Sequence, residues 1–319
     1  MTYSNHQFKL GLIFISTAVI FWGVLPVALK VSGGFIDAIS LTWVRFLIAL
    51  VFSLVSQWLV GQLGQFKLLT FKQWAILSIA GVFLITNYVT FVWSLDYLGP
   101  GEAQLNFQTA PFYLALGGLI FFKERISGIQ AIFFSFLAFG LLLFFHKNIT
   151  GIGYSTNIIW GIIFVQLSSF CWCVYALMQK WLNQVLSPAN ILLFIFALGV
   201  IILFPQSRLT ELHRYSFEQY SILLFCSINT IIAYGCFAQS MKYWRAVEVS
   251  AMIALTPIAS FATAMLAAYM GWWPEIITFP AIDLVSCLGI VLVVTSAACV
   301  QIWNRQPVKT QQDEKSDIK

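Results

Sequence analysis

Arg45 is the one basic residue set well inside an apolar run, which extends from about residue 37 to 60. An unpaired guanidinium in hydrocarbon is costly, so this side chain must face protein or water. Two readings stay open. It contacts an anion or serves as a gate-linked charge, or it snorkels or bonds to carbonyls of a neighbouring helix. Glu102 and Glu248 form a spaced pair, 146 positions apart. Carboxylates in a membrane can carry coupling protons. Both of these open an apolar run, however, and Pro100 and Gly101 precede Glu102 as they would a helix start. A carboxylate there complements the helix dipole, which is the preferred reading. No other acid lies deep in a run, so proton coupling has little support from the residues.

The run from about 102 to 121 holds Gln104, Asn106, Gln108, Thr109 and Tyr113. Lipid penalises amides unless they are paired or wet. Gln104 and Gln108 are four apart and share a helix face, while Asn106 points about 160° away. Gln104 and Gln108 are expected to face a cavity, near Tyr97 and Pro111; hydrogen bonding between helices is the alternative. Trp22 and Trp172 lie mid-run, as do Tyr88 and Tyr234. Their rings suit stacking on a flat or apolar substrate group while their polar atoms orient it. Asn87, Tyr175 and Asn229 are weaker members of this set, Tyr175 being counted with the cavity residues; ordinary helix packing competes with this reading throughout. Pro111 and Pro257 sit near mid-run, each removing a backbone donor, and are expected to act as hinges or kinks. Gly117, Gly118, Gly140 and Gly289 allow close helix approach. No acid, base, nucleophile and metal set converges anywhere in the sequence. The six cysteines read as small apolar residues, the three histidines sit apart from them, and no cofactor or metal is expected.

The elements that must position these residues follow from composition. The 319 residues are 60% hydrophobic and 9% charged, and the mean hydropathy is +0.86. A soluble domain carries about 25% charged residues, so this chain lacks the charge to cover a water-facing surface. It belongs in a bilayer, which is its expected partner along with a small-molecule substrate. The net charge of +5 comes from residues scattered at segment ends, which argues against nucleic acid. Apolar runs of about 20 residues recur, as spanning helices require. Ten are placed, at about 10–29, 37–60, 73–95, 102–121, 127–146, 157–179, 188–205, 219–240, 247–270 and 281–303. They do not alternate as barrel strands would. The first is long enough to span and carries no evident cleavage site after it, so it is not expected to be a removed signal peptide. Residues 304–319 read as a disordered cytoplasmic tail. With the N-terminus inside, twelve Lys and Arg fall on the cytoplasmic side and four on the other. Both termini are therefore expected in the cytoplasm.

The residues also repeat. Ile85, Tyr88, Phe91, Ser94, Tyr97, Glu102 and Pro111 return as Ile231, Tyr234, Phe237, Ser240, Tyr243, Glu248 and Pro257. Ile13, Phe14, Trp22, Val24 and Lys30 return 150 positions on, as Ile163, Phe164, Trp172, Val174 and Lys180. The expected units are 8–147 and 156–303, each with five spans. Five is odd, so the second unit enters the bilayer in the opposite sense. The expected fold is an all-α membrane protein of ten transmembrane helices, built as two inverted five-helix repeats with ligands bound between them.

The sequence resembles the drug/metabolite transporter superfamily, and within it the EamA branch. The resemblance is carried by Phe21-Trp22-Gly23 with Pro26, by Trp43-Val44-Arg45-Phe46-Leu47, by Pro111 and Pro257, and by Lys123-Glu124-Arg125. It covers about residues 8–303. It implies a ten-helix carrier of the inner membrane, often an exporter of amino acids, other small metabolites or drugs. It also implies a substrate cavity between the halves. The second half departs from the pattern, since the glutamate expected after span nine is displaced to Glu275. The expectation is an alternating-access secondary transporter for which a monomer suffices, a homodimer being possible, and not an enzyme. An antiporter for anionic sugars or nucleotide sugars is the nearest alternative, and an intramembrane enzyme the alternative from another class.

Overall fold

The computed structural model describes residues 5–124, 126–144, 146, 156–277 and 283–302. The tail expected at 304–319 lies outside them. The described residues form helices joined by short turns, with no strand among them. We number the α-helices α1 (Asn5–Ser32), α2 (Ala38–Leu59), α3 (Phe71–Tyr97), α4 (Pro100–Phe107), α5 (Thr109–Phe121) and α6 (Gly128–Phe144). They continue as α7 (Thr156–Leu182), α8 (Pro188–Leu203), α9 (Phe217–Tyr243), α10 (Ala246–Ile253), α11 (Thr256–Tyr269) and α12 (Leu284–Ile302).

Seven helical segments are long and apolar enough to cross a membrane: His6–Ser32, Ala38–Leu59, Phe71–Tyr97, Ile158–Leu182, Pro188–Gln206, Phe217–Tyr243 and Ala246–Tyr269. Three shorter apolar helices, Thr109–Phe121, Gly128–Phe144 and Leu284–Val300, accompany them. Large apolar side chains face outward all around the bundle; Ile13 and Val291 are each 60% exposed. Water would not tolerate so much apolar surface, and lipid does. The chain is a multi-pass membrane protein.

Helix ends are set by local chemistry that recurs in both halves. Asp37 caps α2 by accepting from the backbone N–H of Ile39 and Ser40, and Ser187 caps α8 through the N–H of Asn190. Thr70 with Gln73 forms a reciprocal capping box at α3, and Ser216 with Gln219 forms its counterpart at α9. Each cap satisfies donors that an apolar surrounding would otherwise leave unpaired.

The sequence predicts single spans at about 102–121 and 247–270, each kinked or hinged at its proline, and the structure divides both. One path ends α4 at Phe107 and restarts α5 at Thr109; the other ends α10 at Ile253 and restarts α11 at Thr256. Pro111 and Pro257 explain the positions. A proline ring clashes with the carbonyl four residues earlier and offers it no N–H. Those carbonyls belong to Phe107 and Ile253, where the first segments stop.

In the packing, α3 lies along α7, α1 along α9 and α11, α5 along α7, α2 along α8, and α6 along α12. The last pair approaches through glycine. A side chain built on Gly289 would fall 2.7 Å from the carbonyl of Gly140, so only hydrogen there lets the backbones meet. The main core joins Phe46, Leu84, Trp172, Tyr175, Phe196 and Phe237 from five of the long helices.

Candidate functional site

A cavity enclosing about 620 Å³ of atom-free space, open solvent included, lies between the two halves of the chain. Trp22, Leu25, Pro26 and Leu29 contribute from α1, Arg45 from α2, and Asn87, Tyr88, Phe91 and Val92 from α3. Gln104 and Phe107 of α4 and Gln108 at its break form another wall, with Trp172, Tyr234, Ile253 and Thr256 from the second half. Small-molecule sites commonly have this mainly apolar lining with a few polar groups. The lining positions on α1 and α3 precede the helix ends at Ser32 and Tyr97, and those on α4 follow its start at Pro100. The cavity therefore lies in the part of the bundle nearer the ends of α1 and α3, where Lys30 and Leu98 stand.

The inner wall is a box of rings. Trp22 meets Trp172 edge-on at 5.8 Å between centroids and Tyr234 at 5.3 Å. Trp172 and Trp22 both pack on Phe237, at 5.1 and 5.3 Å, and Phe107 meets Trp172 at 6.1 Å. Such offset and edge contacts fix ring orientation. Tyr234 also donates its hydroxyl to Asn87 Oδ1 at 3.2 Å. Asn87 in turn donates to Ser168 Oγ on α7 at 2.7 Å, so one polar chain ties α9, α3 and α7 together.

Arg45 is 2% exposed. Its Nε donates to Thr230 Oγ1 at 3.0 Å, and its guanidinium carbon lies 4.5 Å above the centre of the Tyr88 ring. The hydroxyl of Tyr88, Gln108 Oε1 and Thr256 Oγ1 are buried in the cavity wall without a hydrogen-bond partner. Gln108 Nε2 donates to the carbonyl of Gln104 at 3.2 Å, which ties the amide to the last turn before the helix break.

The opposite end is closed by polar and aromatic contacts. Lys180 Nζ lies 2.7 Å from Glu124 Oε1. Glu124 also accepts from the N–H of Ala246 at 3.0 Å and of Val247 at 3.3 Å. One carboxylate from the first half therefore meets both a lysine and a helix start in the second, where the dipole favours an anion. Phe8 stacks on Trp244 at 5.3 Å beside this cluster. At the cavity end, Lys30 instead donates to the carbonyl of Leu95 at 2.6 Å.

Of the residues singled out in the sequence, Trp22, Arg45, Tyr88, Gln104, Gln108, Trp172 and Tyr234 stand around the cavity. Tyr175 does not reach it; this ring is fully buried behind the wall, 6.1 Å from Tyr234 and 6.4 Å from Phe237. Pro111 and Pro257 do not line it either and stand just beyond the helix breaks. Tyr97 is turned outward and stacks on Phe164 at 5.9 Å. Asn106 is half-buried, and its carbonyl accepts from Gln166 of α7. Glu248 accepts from the backbone N–H of Arg245 at 3.1 Å at the start of α10, the helix-start role; the side chain of Glu102 lies outside the described residues. The sequence reading passed over Phe91, Phe107, Thr256 and the apolar residues of α1. Phe91 carried a signal, since it repeats as Phe237. Thr256 carried none, because the repeat spacing pairs it with Ala110.

The EamA-like transporter family model matches the chain twice, over residues 9–146 and 159–301. An uncharacterized inner membrane transporter of Escherichia coli, YhbE, is 30% identical over 303 residues, covering 94% of each chain. An uncharacterized transporter of Haemophilus influenzae is 28% identical over 306 residues, covering 94% of this chain and 97% of its own. A crystal structure of a protein with 17% identity superposes with a TM-score of 0.70, covering 93% of this chain and 99% of that one. That likeness carries the fold. Two family matches that together cover nearly the whole chain, around a cavity between the two matched halves, establish that it belongs to the EamA-like transporter family.

Proposed function

We propose that this protein is a secondary transporter of the inner membrane that exports amino acids or similar small metabolites by alternating access. The observation that carries the reading is the cavity between the two halves, walled by rings and lying toward one end while the other end is latched by Lys180 and Glu124. A carrier caught between substrates needs that asymmetry. The inner-membrane placement takes support from the name of the Escherichia coli relative.

Counting the three shorter apolar helices as spans gives ten in this reading. The packing supports an inverted pair of halves. Exchanging the halves turns the α3–α7 contact into α9–α1 and the α5–α7 contact into α11–α1, while α2–α8 and α6–α12 map onto themselves. Exchanging the conformations of two such halves moves the opening from one side to the other. The excess of Lys and Arg on one side supports both termini in the cytoplasm, and in that reading the cavity lies toward the outside. We read the chain as a carrier and not an enzyme, as its relatives' names support.

Uptake of labelled metabolites into inside-out vesicles tests the reading. We expect concentrative or exchange uptake of at least one amino acid or analogue, and we expect W22A and Q104A to reduce it. A broad panel of which no member moves would defeat the transporter reading. Unchanged flux in both variants would remove the cavity from the mechanism.

A further inference from the structure

We propose that Arg45 is the specificity-determining residue of the cavity and that it selects substrates carrying a carboxylate beside a flat apolar body, rejecting cations. This rests on the transporter reading and names the substrate chemistry of the same cavity.

Three observations converge. First, the guanidinium is held but not neutralised. Thr230 accepts from Nε, and Thr230 itself is fixed by donating to the carbonyl of Cys226 at 2.9 Å. The Tyr88 ring supports one face. Among the described residues no carboxylate pairs with Arg45, and nothing accepts from its two terminal amino groups. A guanidinium at 2% exposure, oriented from two sides and left with free parallel donors, is shaped for the two oxygens of a carboxylate. Second, no Asp or Glu lines the cavity among the described residues. Among the described residues its fixed charge is therefore a single positive one, which an organic anion balances and an amine worsens. Third, the rest of the wall is complementary to the remainder of such a ligand. Trp22, Phe91, Phe107 and Trp172 offer faces and edges to a ring. Gln108 Oε1 is a buried acceptor without a donor, suited to an amine or hydroxyl hydrogen on a zwitterionic member of the class.

A role for Arg45 confined to packing would use Thr230 and Tyr88 equally well, but would not make binding follow ligand charge. That difference gives the test. The purified full chain is equilibrated by dialysis with four labelled probes of one shape: 3-phenylpropionate, phenylalanine, 3-phenylpropanol and 3-phenylpropylamine. We expect the two carboxylates to bind at least about tenfold more tightly than the alcohol or amine. We expect R45Q to erase that preference and R45K to keep part of it, since lysine retains charge but loses the fork. Thermal unfolding checks that each variant is folded, and if R45Q is not, the charge series on the unaltered protein decides alone. Amine binding within about twofold of the carboxylates, no binding of any probe up to about 10 mM, or a folded R45Q with its preference intact would each overturn the proposal. Proteoliposomes separate it from the transporter reading. An amine that is carried as fast as the carboxylates sinks the proposal and leaves the carrier intact. Carboxylates bound through Arg45 but never moved leave the proposal intact and sink the carrier.

Discussion

Tyr234 shows how a single side chain of this protein serves a wall and a framework at once. Its ring faces Trp22 and Tyr88, while its hydroxyl holds Asn87. Tyr234→Phe should keep the ring and lose the bond. We expect a loss of about 1 kcal/mol, more if Asn87 Oδ1 is left unsatisfied, measured as a lower thermal midpoint in detergent. Trp172 is a harsher case. At 2% exposure it touches Trp22, Phe107 and Phe237. Trp172→Ala should cost about 3–5 kcal/mol because the ring box cannot collapse around the void. An unchanged midpoint would mean that these rings do not form the continuous core described above. The sequence placed these residues deep in apolar runs and paired them by repeat spacing. It did not separate the wall from what stands behind the wall. Tyr175 carries the same chemistry as Tyr88 and lies on the same helix as Trp172, three positions further on and just under one turn away, yet it does not line the cavity.

We propose that the broken paths α4–α5 and α10–α11 are the elements that move during transport. Each break leaves a carbonyl without its helical donor beside the cavity, at Phe107 and at Ile253. Pro257→Ala should restore the donor and stiffen the path. We expect weaker transport in that variant with probe binding retained, read by comparing counterflow with equilibrium binding; equal loss of both would mean that the proline shapes the site and not its motion. The α6–α12 pair is static by contrast. Gly289→Val would drive a branched side chain into the backbone of Phe144 and the carbonyl of Gly140. Overpacking of this kind costs about 1–3 kcal/mol, so the thermal midpoint should fall while the cavity's ligand preference stays the same. The sequence identified the prolines and the glycines. Only the packing distinguished a helix break beside a cavity from a seam between two helices.

For the whole molecule, we propose that the closed end decides which side the cavity meets. Glu124 bonds Lys180 of α7 and two N–H groups at the start of α10, so it joins one half to the other at three points. Glu124→Gln removes the charge from all three. We expect that variant to shift the population toward the oppositely open form. In a cysteine-free background, Leu25→Cys faces the cavity and should react with an impermeant maleimide from the outside. Glu124→Gln should slow that reaction, and an unchanged rate would show that the latch does not set the equilibrium. Fusion of a fluorescent protein at Lys319 should fluoresce if the C-terminus is cytoplasmic, whereas a phosphatase fused there should be inactive.

By itself the sequence determined that the chain lives in lipid, that it is helical, that its halves repeat, and that one arginine sits where no charge is comfortable. Those properties are local or periodic: hydropathy over a helix length, caps within one turn, and spacing along the chain. The tertiary structure decided what the repeats enclose. Thr230 reaches Arg45 across 185 positions, Asn87 meets Ser168 across 81, and Glu124 meets Ala246 across 122. Contacts of that range depend on how helices from two halves cross, and no pattern along one strand of sequence encodes a crossing. Arg45 was legible as a buried charge; that it faces a cavity lined by no carboxylate among the described residues became visible only when the helices were packed.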